Sequence, residues 1–136
     1  GRNALENGEF LVSIQIPAQC NRSGSAYERF IPRNEMDIAV AGVGSSVVLD
    51  GDGKSIVSGR IALASVAPTP VLVKEACAAL QGTEISEKTI ENVAQAAMAA
   101  ARPINDMRGT IRQRRHLVGV LTRRTLEGAI ERAREA

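Results

Sequence analysis

The stretch Asp37-Ile-Ala-Val-Ala-Gly-Val-Gly-Ser-Ser-Val-Val-Leu49, followed by Asp50-Gly-Asp-Gly53 and Lys54–Ser65, decides the fold. Its first part is rich in Val and Ala, and its glycines at 42 and 44 indicate a buried strand that other backbone approaches closely. The sequence Asp-Gly-Asp-Gly is a strong signal for a tight turn. Residues 54–65 continue in strand-like fashion. We therefore predict a β-hairpin over residues 37–65.

Two further strands are predicted upstream of this hairpin. Residues Glu9–Ile16 alternate apolar and polar side chains from Val12 onward, which is the pattern of a strand with one buried face, and Pro17 ends the run. Residues 18–24 have the composition of a loop. A second strand is predicted over Ser25–Arg33, with Pro32 marking its end.

The second half of the chain predicts three helices. The first starts at Thr69 or Pro70 and stops at Gly82, the second covers residues 87–101 with Ser86 as its N-cap, and the third begins near residue 111. Strands followed by helices indicate an α+β fold. We predict one domain over residues 1–136, with an antiparallel sheet of three to four strands covered on one face by about three helices.

Composition excludes several classes of function. Aromatic residues make up 2% of the chain and Trp is absent, so a surface that stacks bases or sugars on rings is not expected. Cys20 and Cys77 are far apart with no CxxC motif, which argues against a disulfide scaffold or a zinc site and favours a reducing compartment. Without a membrane-length apolar run or a signal peptide, we expect a soluble, cytoplasmic chain.

Three short motifs resemble ligand or metal sites but lack residues that such sites require. Gly42-Val-Gly44 lacks the third glycine of a dinucleotide loop and is followed by strand-like sequence. Asp50-Gly-Asp-Gly53 has Lys54 where a calcium loop requires an oxygen ligand. His116 is the only histidine and has no partner at helical spacing for a metal. We predict no catalytic residue and no metal site.

The charged residues leave two interpretations open. Nine of the fourteen arginines lie beyond residue 100, and this basic region could meet nucleic acid, an acidic partner or water. Asp106 and Arg108, together with Arg115 in the run Arg-Gln-Arg-Arg, form either an anion or acidic-partner site or an internal ion-pair network that fixes the start of a helix. The internal network is the favoured interpretation.

A second polar group lies on the strand predicted over residues 25–33. Alternation places Tyr27, Arg29 and Arg33 on one face, pointing towards a ligand or a subunit, and Asp37 follows shortly after. A solvated edge strand would have the same pattern, so composition alone does not separate the two readings.

Four segments, in this order, carry a resemblance to a known family. They are Ser25-Ala-Tyr-Glu-Arg with Met36-Asp-Ile-Ala39, Ile61-Ala-Leu with Val66-Ala-Pro-Thr-Pro70, Ala101-Arg-Pro-Ile-Asn-Asp-Met-Arg-Gly109, and Arg114-Arg-His-Leu-Val-Gly-Val-Leu-Thr-Arg-Arg124. Together they resemble the C-terminal domain of the FAD-binding medium subunit of molybdenum hydroxylases, the carbon monoxide dehydrogenase and xanthine dehydrogenase group. The likeness spans nearly the whole chain. It departs at Ala64-Ser65, where two glycines are common, and at Gln113, where a tyrosine is common.

The resemblance implies a role inside a multisubunit oxidoreductase. In such enzymes a large subunit carries molybdopterin, a small subunit carries 2Fe-2S clusters, and electrons pass through them to FAD. The FAD is bound mostly by an N-terminal domain that is absent from this chain. The resemblance implies that this chain is a non-catalytic domain, helping to hold together the FAD-binding domain, the iron–sulfur small subunit and the molybdopterin large subunit.

The resemblance also implies roles for single residues. Arg29 stands where the family often has a lysine near the flavin, and with Tyr27 it is expected at the flavin edge of the full subunit. The remaining candidates are expected at interfaces or in structural ion pairs: Arg33, Asp37, Asp106, Arg108 and Arg115. The alternative is a free-standing α+β module that binds a polyanion or nucleic acid through its Arg-rich C-terminal region.

Overall fold

An antiparallel sheet is the scaffold of the chain, which the computed structural model describes over residues 3–33 and 36–136. Strands β1 (Ser23–Phe30), β2 (Ala41–Leu49) and β3 (Ser55–Ala64) lie side by side in chain order. Two short strands, β4 (Val71–Leu72) and β5 (Thr83–Glu84), pair with opposite ends of β3. The sheet therefore has five strands, and the predicted hairpin is its centre.

Three helices cover one face of this sheet. Helix α3 (Ile111–Glu135) packs against β1 and β2, α1 (Lys74–Leu80) packs against β3, and α2 (Glu87–Ala100) packs against both other helices. The core between the layers is built mainly from aliphatic side chains, including Val43, Ile61, Leu63, Leu80 and Leu126, and the hydroxyls of Ser45 and Thr125 form a buried hydrogen bond within it at 2.7 Å. The predicted α+β class is thus confirmed.

Local capping explains where two of the helices begin. The hydroxyl of Ser86 accepts a hydrogen bond from the amide of Thr89 at 3.1 Å, as predicted for α2. The hydroxyl of Thr110 does the same for the amide of Gln113, also at 3.1 Å, and so starts α3. Each cap satisfies an amide that has no partner within its own helix.

Strand β1 and helix α3 approach each other backbone to backbone. A Cβ added to Gly24 would lie 2.1 Å from the carbonyl oxygen of Ala129 and 2.5 Å from the amide nitrogen of Ala133, so only glycine fits. Helices α2 and α3 are also close, since a Cβ on Gly119 would lie 2.5 Å from the sulfur of Met98. These contacts determine how the helical layer sits on the sheet.

The predicted strand over Glu9–Ile16 is wrong. Residues 9–20 have no regular secondary structure, and all of them are exposed. A strand is stable only when a neighbouring strand satisfies its backbone groups, and no strand of the described part of the chain pairs with this one. The alternating sequence is real, but its partner is not among the described residues.

Three other boundaries differ from the predictions. Strand β1 ends at Phe30 and β2 begins at Ala41, so residues 31–33 and 36–40 lie in the connection between them rather than in strand ends. Helix α1 begins only at Lys74, because Val71 and Leu72 first pair with β3. Residues 34 and 35, between the two parts of the first segment that carries the family resemblance, lie outside the described part of the chain.

Candidate functional site

The two faces of the sheet carry different side chains. Alternation along β2 and β3 places Val43, Val47, Ile61 and Leu63 under the helices, all at most 1% exposed. The other face, here called the open face, carries mostly small or polar residues. It includes Ser25, Tyr27, Arg29, Gly42, Gly44, Ser46, Val48, Ser58, Arg60 and Ala62. The helices described above all pack on the opposite side.

Tyr27 lies flat across the open face. It stands opposite Gly44 in the β1–β2 register and is 59% exposed. A Cβ on Gly42 would lie 2.8 Å from the Tyr27 hydroxyl oxygen, and one on Gly44 would lie 3.7 Å from its ring. The close approach predicted at these glycines therefore exists, but the approaching group is an aromatic ring and not backbone.

Arg29 lies next to this ring on the same face. It stands opposite Gly42, and its side chain is exposed. Because positions 27 and 29 share a face, a planar aromatic group and a guanidinium group are presented together on a flat surface. Such a pair suits a planar ligand that carries hydrogen-bond acceptors at its edge.

The connection between β1 and β2 carries Arg33 and Asp37, two of the residues expected at an interface or in a structural ion pair. The Asp37 carboxylate accepts hydrogen bonds from the amides of Ile38 at 2.9 Å and of Arg33 at 3.1 Å, and Arg33 Nε lies 3.6 Å from Asp37 Oδ2. Burial pushes the pKa of Asp37 upward, but these two amides and the charge of Arg33 outweigh it and hold the pKa below its ordinary value. Arg33 itself no longer shares a strand face with Tyr27, because β1 ends at Phe30.

A buried arginine ties the base of this connection to α3. The guanidinium of Arg114 donates to the carbonyl oxygens of Val40 at 2.8 Å and Ser65 at 3.2 Å, and to both carboxylate oxygens of Asp106 at 2.7 Å. Arg114 is 5% exposed. The amide of Val40 in turn donates to the carbonyl of Phe30 at 2.9 Å. We call Arg114, Asp106, Val40 and Ser65 the Arg114 cluster.

The Arg114 cluster holds Asp106 ionised. The hydrogen bonds from Arg114 come first among the causes that lower the pKa of Asp106, followed by the amide of Arg108, and together they outweigh burial. The side chain of Arg115 points elsewhere, since its Nε donates to the carbonyl of Ala101 at 3.3 Å. The structure thus pairs Asp106 with Arg114, whereas Arg108 contributes only backbone.

Sequence reasoning missed Arg114, although a signal exists. Position 114 precedes Val118, Leu121 and Thr125 at helical spacing, and these three residues form the buried stripe of α3. Of the arginines at 112, 114 and 115, position 114 is therefore the one that α3 turns inward. A buried arginine needs an acceptor for its donors, which singles out Asp106.

Several other arginines of the C-terminal region are occupied by internal partners. Arg123 pairs with Glu91, and Arg132 donates to the carbonyl of Ser25. Arg102 donates to the carbonyls of Ala99 and Ala101. Arg123 and Arg132 thereby link α3 to α2 and to β1, and Glu91 offsets the charge of Arg123.

The remaining candidates show no further chemistry in the described residues. Cys20 is exposed and Cys77 half-buried, and both are unpaired. Across residues 3–33 and 36–136, no three His, Cys, Asp or Glu side chains converge to hold a metal ion. Among the described helices, none combines the length and apolar character needed to cross a membrane.

Comparison with known proteins gives a family match. Residues 25–129 match the model of the CO dehydrogenase flavoprotein C-terminal domain. The carbon monoxide dehydrogenase medium chain of Afipia carboxidovorans is 36% identical over 131 residues, which cover 96% of this chain and 44% of that protein. A putative xanthine dehydrogenase FAD-binding subunit of Escherichia coli K12 is 28% identical over 134 residues, 98% of this chain and 45% of that protein.

Solved structures agree with these matches. A carbon monoxide dehydrogenase from Hydrogenophaga pseudoflava superposes with a TM-score of 0.81 at 32% identity, covering 86% of this chain and 40% of that one. Quinoline 2-oxidoreductase from Pseudomonas putida superposes with a TM-score of 0.78 at 26% identity, covering 88% and 40%. The chain spans less than half the length of these relatives. The resemblance indicated by the four sequence segments is confirmed.

Proposed function

Because the chain belongs to the CO dehydrogenase flavoprotein C-terminal domain family, we propose that it is the structural, subunit-packing domain of an FAD-binding medium subunit in a molybdenum hydroxylase-type oxidoreductase. Its relatives carry the names medium chain and FAD-binding subunit. FAD in such an enzyme would receive the electrons that substrate oxidation releases. The observation that carries the proposal is the open face, where Tyr27 and Arg29 lie together on a flat surface.

The open face fits the edge of a flavin but not its phosphates. The ring of Tyr27 is planar and more than half exposed, and the guanidinium of Arg29 adds donors beside it. A phosphate cradle requires backbone amides at a helix N-terminus. Gly42-Val-Gly44 instead lies within β2, and Tyr27 covers its glycines. The diphosphate therefore needs another unit, which we call the flavin-binding unit.

The proposed partners follow from the family and from what the chain itself offers. They are the flavin-binding unit, an iron–sulfur small subunit and a molybdopterin large subunit. Within the subunit, Tyr27 and Arg29 would line the flavin edge, and the Arg114 cluster would position the connection that carries Arg33 and Asp37. No catalytic step is assigned to this chain. The two free thiols suit a reducing, cytoplasmic compartment.

The polyanion alternative has no support. The matched relatives are flavin-binding subunits, and much of the basic region is used internally, as by Arg123 with Glu91 and Arg132 with the Ser25 carbonyl. The scarcity of rings adds to this, because single-strand recognition depends on aromatic stacking.

The first experiment replaces Arg29 in the complete FAD-binding subunit. We expect Arg29→Ala to weaken FAD binding by about tenfold, the size of one lost hydrogen bond from a charged donor, and to shift the flavin midpoint potential. Arg29→Lys keeps the charge and should restore part of both. Arg112→Ala, an exposed arginine on α3, is the matched control. FAD affinity and potential that are unchanged in Arg29→Ala would remove the flavin role of this residue.

A second experiment tests the assignment as a whole. The native complex is purified through this chain, its subunits are identified by mass spectrometry, and its visible spectrum is recorded. Co-purifying molybdopterin and iron–sulfur subunits together with flavin absorbance would support the proposal. A colourless chain without partners would contradict it.

A further inference from the structure

The segment of residues 9–16 has the pattern of a strand but lies outside the sheet. Its even positions are all large and apolar, and each is almost fully exposed. They are Phe10 at 77%, Val12 at 82%, Ile14 at 77% and Ile16 at 86%. The odd positions Ser13 and Gln15 are polar, while Leu11 is the exception. An extended backbone would place these side chains on one side, and such a row of exposed apolar side chains marks a surface that another protein unit covers.

The backbone of this segment also has almost no hydrogen-bond partners among the described residues. Within the described residues, its one backbone hydrogen bond runs from the amide of Glu9 to the carbonyl of Glu6 at 3.1 Å. Alternating side chains and free amides are the two features that let an extended segment add to the edge of a sheet. A helix or a membrane surface would instead require apolar residues at helical spacing.

The segment leaves the domain along the open face. Residues 16–20 line a groove of about 610 Å³ together with Ser46, Val48, Ser58 and Arg60, which lie on that face of β2 and β3. Only residues 17–22 separate the segment from β1, and six extended residues reach at most roughly 20 Å. Whatever pairs with residues 9–16 therefore lies next to the open face.

The extent of the sequence matches indicates which protein unit pairs with residues 9–16. The family domain begins at residue 25, yet similarity to the full-length relatives covers 96–98% of the chain and so includes residues 9–16. The segment is thus shared with the relatives but lies outside the domain. More than half the length of those relatives lies beyond the part matched here. A unit in that remaining part is the natural source of the missing sheet.

We propose that residues 9–16 form an added β-strand on the edge of a sheet in the flavin-binding unit, with Phe10, Val12, Ile14 and Ile16 filling its apolar face. This inference rests on the proposed function, because it takes its partner from there. It brings the flavin-binding unit over the open face, where Tyr27 and Arg29 lie. The domain and its partner unit would then be joined through a shared sheet as well as through contacting surfaces.

The test is hydrogen–deuterium exchange at single-residue resolution in the native complex, with the flavin content measured on the same sample. We expect the amides of residues 10–16 that face the partner sheet to exchange at least about tenfold more slowly than free peptide. Alternate residues should be protected if the strand is at an edge, and all of them if it is internal. Amides of α3 report that the domain is folded. Free-peptide exchange of residues 10–16 in a flavin-containing complex would overturn the inference while leaving the proposed function intact.

Two adjacent substitutions separate a strand from a segment that is merely covered. Ile14→Asp places a charge on the apolar side and should return residues 10–16 to fast exchange. Ser13→Asp places the same charge on the polar side and should leave their protection unchanged. Equal effects of both variants would contradict a strand with one apolar face. Protection that depends on protein concentration would assign the segment to a second copy of the chain and overturn the inference, and loss of flavin from the wild-type complex would instead contradict the proposed function.

Discussion

The two faces of this sheet are built from the same strands but from opposite kinds of residue. On the helix-covered face, Val43 and Ile61 are fully buried, and each such side chain contributes about 1.5–3 kcal/mol. On the open face, the registered neighbours Gly44 and Ala62 have almost no side chain to bury. Stability is concentrated on one face, and the other is kept flat. We infer that substitutions on the helix-covered face lower the free energy of unfolding, whereas substitutions on the open face alter the binding of a partner or ligand.

The largest expected effect is on the helix-covered side, at Gly24. The substitution Gly24→Val should lower the free energy of unfolding by about 3 kcal/mol, because the added Cβ meets backbone atoms of α3 that cannot move aside. Urea unfolding followed by circular dichroism measures this. Gly51→Ala is the control, since its Cβ would meet nothing within 4 Å. Equal stability of the two variants would contradict the close packing of β1 on α3.

The next effect in size is expected at Arg114. The substitution Arg114→Met should cost about 2–3 kcal/mol of unfolding free energy, because it leaves the buried carbonyl of Val40 without its donor. Arg112→Met, an exposed change two residues away on the same helix, should stay within about 0.5 kcal/mol of wild type. Thermal unfolding of the two variants side by side measures the difference. A neutral Arg114→Met would show that the cluster does not hold the connection.

Acid should weaken the same cluster by a smaller amount. The pKa of Asp106 lies below its ordinary value of 3.8 in the folded chain, so its stabilising effect is complete above that pH. This stabilisation is lost as the pH falls below 3.8 and through the folded-state pKa. Unfolding free energy measured between pH 7 and pH 2 should therefore fall less steeply in Asp106→Asn than in wild type. Identical slopes would show that Asp106 is not held ionised by Arg114.

A stabilising change is expected at the end of β3. Ser65 has φ at +63°, in the left-handed region that costs a non-glycine residue about 1 kcal/mol or more. The substitution Ser65→Gly should therefore raise the unfolding free energy by up to about 1 kcal/mol. The gain is reduced because glycine increases the conformational entropy of the unfolded chain. A destabilised Ser65→Gly would mean that the serine side chain makes a contact of its own.

The smallest effect on stability is expected on the open face. In Gly42→Ala the new Cβ would lie closest to the Tyr27 hydroxyl oxygen, at 2.8 Å, and next to the Cβ of Ala64, at 3.4 Å. The exposed Tyr27 side chain can swing away, so the cost should be about 0.5 kcal/mol or less. Tyr27 is the only tyrosine and there is no tryptophan, so the intrinsic fluorescence of the chain reports this ring alone. We expect its emission to change in Gly42→Ala and not in Gly51→Ala. Unchanged emission would mean that the ring does not lie on Gly42.

The sequence predicted those parts of the fold whose signals are local. The turn at residues 50–53 and the cap at Ser86 each depend on a few neighbouring residues, so α2 and the turn-side ends of the hairpin were predicted correctly or nearly so, whereas β2 begins four residues later than predicted. Strands β4 and β5 are two residues long, too short for a periodicity to appear. The strand predicted over residues 9–16 failed because alternation shows that a face exists and says nothing about where the partner is.

The site followed the same rule. Alternation was enough to place Tyr27 and Arg29 on one face, since both lie inside β1. It failed for Arg33, because a strand end depends on what the next residues pair with. The pairing of Asp106 with Arg114, and of Arg114 with Val40, joins residues up to 74 positions apart. No local pattern encodes such a contact, although the helical spacing of the buried residues of α3 does predict that Arg114 faces inward.

The packing of α3 on β1 and β2 has a consequence for biosynthesis. Within this chain β1 and β2 are synthesised before α3, the helix that covers them, and the carbonyl of Ser25 is hydrogen-bonded to Arg132, 107 residues later. The emerging sheet therefore has one uncovered aliphatic face until α3 has also been synthesised. Contacts so distant in sequence form late and slowly, and exposed aliphatic surface favours aggregation meanwhile. We expect nascent chains that lack α3 to be clients of molecular chaperones.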